Sequence, residues 1–102
     1  MQHSYEITPR PAELGGGWRL QLLEDGAEVG GSVFPVLAED PHVGMIWWNG
    51  ISESNRAYWL QAAKSAKPAD AWQAWREAEA YDDAEREALA WLDSKGPALL
   101  VH

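Results

Sequence analysis

Tryptophan occupies seven of the 102 positions (Trp18, Trp47, Trp48, Trp59, Trp72, Trp75 and Trp91), and cysteine occupies none. Each indole is a large apolar surface with one N–H that needs a partner when buried. A domain of about 100 residues buries roughly 60–70% of its unfolded surface, enough for one modest core. Such a core is too small for seven indoles, so part of the set is expected in a subunit interface or a binding surface. The lack of cysteine excludes disulfides, thiolate nucleophiles and thiolate metal sites together.

Charge narrows the partners. Sixteen acids stand against eight bases, for a net charge of −8 and a pI near 4.7. Phosphate contact is driven by counterion release at a basic patch. The balance therefore argues against simple nucleic-acid binding, although a locally basic face stays open. No apolar run is long enough to span a bilayer. The N-terminal Met1-Gln2-His3-Ser4-Tyr5-Glu6 lacks the basic start and apolar run of a secretion signal, so a cytoplasmic location without membrane attachment is expected.

The chain changes character near residue 52. Eight of nine glycines precede it, and alanine, glutamate and other helix formers dominate after it. In Gly17–Glu24, Trp18, Leu20 and Leu22 alternate with Arg19 and Gln21, the period of a half-buried strand. Glu24-Asp25-Gly26 reads as a hairpin turn into a return strand Glu28–Phe34, closed by Pro35. Gly30-Gly31 within it suggests a bulge or a close backbone approach. Ser4–Thr8 gives a further strand, and Val43–Ile51 a fourth strand or a loop, with Asn49-Gly50 as a turn signal. A first helix is expected from a Ser52 or Ser54 cap to about Ala66. A second starts at Pro68 with Asp70 near its positive end and stops at Gly96-Pro97. Beyond that stop lies the apolar run Ala98-Leu99-Leu100-Val101.

Two apolar stripes follow Pro68. Ala71, Trp75 and Ala78 share one face, with Trp72 at its edge, and Ala84, Ala88, Trp91 and Leu92 share another, rotated by over a third of a turn. One straight helix cannot turn both toward a single core. Either the helix breaks at Asp82-Asp83, where Asp82 and Glu85 resemble a capping pair, or one continuous helix meets two partners. The absence of glycine and proline between Ala69 and Ser94 favours the continuous helix, and its second partner suits a dimer.

No catalytic or metal motif stands out. Gly15-Gly16-Gly17 lacks the lysine and Ser/Thr of a P-loop and precedes a strand, so it reads as a turn. His3, His42 and His102 have no ligand spacing. Ser32, Ser52 and Ser54 have no positioned base, and no G-x-S-x-G elbow occurs. The acids Glu77, Glu79, Asp82, Asp83, Glu85 and Glu87 read as a solvated helix face, or as a mimic of nucleic-acid charge. No cofactor is expected.

The stretch Pro11-Ala12-Glu13-Leu14-Gly15-Gly16-Gly17-Trp18, continued by Leu20, Leu22, Glu24-Asp25-Gly26, Val29-Gly30-Gly31 and Val33-Phe34-Pro35, resembles small uncharacterised proteins carried on plasmids and integrative elements of Gram-negative bacteria. The likeness spans about residues 4–36, with an echo in Ala90-Trp91-Leu92. It implies a mobile-element accessory protein linked to DNA maintenance, transfer or regulation. It assigns no chemistry to any residue, and the region from Ala38 to Ala80 lies outside it.

The expected fold is a single α+β domain over residues 1–102, mainly strand over 1–51 and mainly helix over 52–95. A small antiparallel N-terminal sheet of three to four strands is packed by two to three C-terminal helices and assembled as a dimer. The expected function is that of a non-enzymatic homodimeric accessory protein acting on an unidentified protein or nucleic-acid partner. Trp47, Trp48, Trp59, Trp72, Trp75 and Trp91 are the interface candidates, since aromatic residues concentrate at interface centres. The alternative is a DNA-associated regulator whose dimer assembles a basic strip from Arg10, Arg19, Arg56, Lys64 and Lys67.

Overall fold

The computed structural model describes residues 1–36 and 39–95. Strands β1 (His3–Pro9), β2 (Trp18–Glu24) and β3 (Ala27–Phe34) form an antiparallel sheet in the order β1-β2-β3. Helices α1 (Pro41–Gly50), α2 (Glu53–Ala63) and α3 (Pro68–Lys95) follow, so the fold is α+β.

Local chemistry sets the sheet. The β2–β3 hairpin closes through Asp25 and Gly26, both at positive φ (52° and 85°), the pair of left-handed residues that a two-residue type I′ loop requires. Register places Leu20 opposite Ile7 on one side and Ser32 on the other, and Leu22 opposite Tyr5 and Gly30. The ladder shifts at Leu22/Leu23, which leaves Val29 as the extra residue of a bulge beside Gly30. At Gly31 an added Cβ would clash with the Leu20 carbonyl, so both meanings of the glycine pair hold. Gly17, at φ 74°, leads into β2, where an added Cβ would clash with the Phe34 carbonyl and stand 2.8 Å from Pro35 Cα. The triple glycine is therefore a tight turn packed against the end of β3.

The segment Val43–Ile51, expected as a fourth strand or a loop, is helical over most of its length. Asp40 caps α1 by accepting a hydrogen bond from the His42 N–H (2.9 Å), and Pro41 occupies the first turn, where its missing N–H costs nothing. The β-branched and aromatic residues gave the strand reading, and packing on α3 overrides that propensity. Helix begins at Pro41 rather than near residue 52, and Asn49-Gly50 is the last turn of α1. Helix α2 has Ser52 as its cap, accepting from the Asn55 N–H (3.2 Å), and ends at Ala63, three residues short of expectation, because Lys64 turns left-handed (φ 52°).

Helix α3 runs unbroken for 28 residues, so Asp82-Asp83 caps nothing. Both stripes are used inside one chain. Ala84 and Ala88, fully buried, lie on Leu20 with Tyr5, Ile7, Leu22 and Phe34 around them. Trp18 donates its indole N–H to the Glu77 carbonyl (2.8 Å) and meets Tyr81 edge-on at 5.0 Å. Toward the helix N-terminus, Trp72 and Trp75 pack instead against α1, and α2 lies along α3. The Gly96-Pro97 stop and the run Ala98–Val101 lie outside the described residues. No helix among the described residues is long and apolar enough to cross a membrane.

Candidate functional site

The chain has no charged residue from Pro41 through Ser52. Folded as α1, this segment is uncharged and largely apolar, with His42 and Asn49 as its polar side chains, both exposed. Only one side is covered. Gly44 is buried beneath Trp72: an added Cβ would clash with Trp72 Cε3 and stand 2.7 Å from Cδ2. Trp47 stacks at a tilt on Trp75, with ring centroids 5.3 Å apart. Val43 and Ile46 are left 45% and 60% exposed, and Met45, at the rim of the groove that α1 forms with α3, is 61% exposed.

A groove of about 650 Å³ opens between α1 and the first turns of α3. Trp48, Trp72 and Met45 supply its apolar walls, and Asn49, Asp70, Gln73 and Arg76 its polar groups. Both wall tryptophans carry an arginine. The Arg76 guanidinium lies 4.8 Å from the Trp72 ring centre, and that of Arg56 lies 5.4 Å from Trp48 while its Nε donates to the Trp48 carbonyl (3.0 Å). Cation–π contacts of this kind contribute about 0.5–1 kcal/mol where exposed and more where desolvated.

None of the seven tryptophans is fully buried; each is half-buried. The fold brings Trp47, Trp48, Trp72 and Trp75 together at the α1–α3 junction. Trp59 stands apart on α2, edge-on to Tyr58 at 4.8 Å, and Trp91 packs on His3 at 5.4 Å at the far end of α3. Only four hydrophobic side chains among the described residues are fully buried, and of these Leu20 alone is larger than alanine. The core is as small as the chain length implies, and the partly buried side chains packed on Leu20, Ala84 and Ala88 are Tyr5, Ile7, Leu22 and Phe34, with no tryptophan among them.

The basic candidates are spread over separate elements. Arg10 donates to the carbonyls of Gly16 and Leu14 in the glycine turn, both at 2.9 Å. Arg19 pairs with Glu28 at 3.1 Å on the outer sheet face. Arg56 is engaged by Trp48, and Lys64 and Lys67 lie on the α2–α3 connection. One chain by itself therefore assembles no basic strip from these five residues. The acids of α3 are likewise divided: Glu87 accepts from Ser32 (2.8 Å), Asp83 pairs with Arg86 (3.0 Å), and Glu79 flanks Trp75.

Sequence reasoning passed over Arg76 and Gly44. The signal for Arg76 was its place four residues after Trp72, the offset that lays one side chain over another on a helix. For Gly44 no local signal existed, because its role is set by a ring 28 positions away. The chain matches no protein-family model, and no curated protein or solved structure is similar enough to match it.

Proposed function

We propose that this protein is a non-enzymatic homodimer, an accessory protein of a plasmid or mobile element that acts by binding other macromolecules. The mobile-element context comes from the resemblance in residues 4–36. The observation that carries the dimer is the uncovered side of α1, where Val43, Met45 and Ile46 are presented on a segment without charge. Large apolar side chains clustered in solvent mark interaction surfaces.

Charge selects a second copy as the occupant. Two chains at −8 repel one another across most approaches, and a charge-free helix offers an approach without that penalty. A twofold pairing presents the same patch from both subunits, so neutral meets neutral. A standard interface takes about 20–30 residues a side, so the ten residues of α1 form its centre and not its whole extent. Trp47, Trp48, Trp72 and Trp75 support this centre from beneath.

Sedimentation across a dilution series tests the reading, with wild type beside Ile46→Glu. A dimer that dissociates in the variant supports it. A wild-type monomer at all concentrations, or a dimer indifferent to Ile46→Glu, removes α1 as the interface.

A further inference from the structure

We infer that the groove between α1 and α3 binds a small amphipathic anion, with a planar apolar body lying between Trp48 and Trp72 and a single carboxylate, sulfonate or phosphate held by Arg76. The groove's volume of about 650 Å³ falls within the roughly 300–1,000 Å³ typical of small-molecule sites. Its lining matches their make-up, mostly apolar and aromatic with a few polar groups that orient the ligand.

Arg76 defines the head group. Its guanidinium carbon lies over the Trp72 ring, 4.8 Å from the centroid, and a guanidinium held on an aromatic face keeps N–H donors for a planar, bidentate anion. Among the described residues it makes no hydrogen bond or ion pair, although Glu77, Glu79 and Asp83 border the clefts beside it. The second groove tryptophan is also backed by a cation, Arg56, so two of the eight bases of an acidic chain sit against the walls of this one groove. Asp70 fixes the direction of binding. It lines the same groove about 9 Å from Arg76 along the helix axis, at 1.5 Å per residue, and accepts a hydrogen bond from Ser65 Oγ (2.7 Å). An anion is repelled there and drawn to Arg76, while the body extends toward Met45 and Pro41.

The test compares two fluorescent probes, anilinonaphthalenesulfonate and phenylnaphthylamine, which share an aromatic body and differ in the sulfonate. The sulfonate should saturate one site per chain and bind about tenfold more tightly than the neutral compound, the increment of one charge-assisted hydrogen-bonded pair. Arg76→Gln should abolish that ratio and leave the neutral compound's affinity unchanged. Gln73→Glu, which places a carboxylate in the same groove without touching the Arg76–Trp72 stack, should abolish it as well. Equal affinities in wild type, no binding of either probe, binding that never saturates, or a ratio untouched by both variants overturns the inference. The inference does not require the dimer, whose state is read separately from the sedimentation series.

Discussion

Helix α3 serves two neighbourhoods of opposite character. Its C-terminal half lies on the sheet, where Leu20 is held against Ala84 and Ala88 and polar residues face outward. The contacts there are closed: Trp18 has its N–H partner, Ser32 is tied to Glu87, and Arg19, Gln21 and Glu28 form a network on the outer face. Its N-terminal half lies against α1, where the contacts are aromatic, α1 itself carries no charge, and a groove stays open. A chain that folded only for stability would cover an apolar helix as thoroughly as it covers Leu20. The sheet half holds the buried core, and the α1 half holds the exposed apolar side chains and the groove.

Substitutions can break or sharpen that contrast. The largest effect is expected at Leu20→Ala, which empties the sheet core and should cost about 2–5 kcal/mol in denaturant unfolding, with self-association unchanged at concentrations where the variant is folded. Weakened association there would mean that the two halves are not separable. Gly44→Ala is next. Helix propensity alone favours alanine by about 1 kcal/mol, but the new methyl meets the Trp72 ring, and overpacking typically costs about 1–3 kcal/mol. A net loss of stability is expected, and a gain would show that α1 is free to move off α3. Ile46→Glu should weaken self-association by at least about tenfold, or 1.4 kcal/mol, while monomer stability stays within about 0.5 kcal/mol, as is usual for surface positions. Equal losses of stability and association would place Ile46 in the fold and not at its surface. The smallest change is expected at Asp82→Ala. An N-cap is worth on the order of 1 kcal/mol, whereas an exposed mid-helix acid is worth less than about 0.5 kcal/mol. A larger loss would indicate a break that separates the two halves.

Much of the sheet half was legible in the residues. The alternation of Trp18, Leu20 and Leu22, the Asp25-Gly26 turn and the glycine pair before Ser32 are local signals with local causes, and each appears where expected. The continuity of α3 was legible in the absence of glycine and proline. The α1 half was legible only in its ingredients. Val43, Ile46, Trp47 and Trp48 read as strand or loop, because β-branched and aromatic residues favour that conformation when nothing else decides. The deciding contact, Trp72 on the bare backbone of Gly44, joins residues that no local window contains. Asp40 followed by Pro41, a capping acid before a first-turn proline, was the available sign of a helix, and the strand-or-loop reading took no account of it. Arg76 escaped notice for a related reason: a lone base in an acidic helix has no distinctive pattern until a ring is found beneath it.

The sequence by itself determined the class of fold, the size of the core and the surplus of aromatic surface, since these follow from periodicity, turn chemistry and chain length. Tertiary structure alone decided where the surplus lies. It turned two stripes on one helix toward two parts of the same chain, and gathered four of the tryptophans at one junction. It left α1 covered on one side only. Period and propensity act over a few residues, whereas the placement of α1 depends on packing between segments about thirty positions apart.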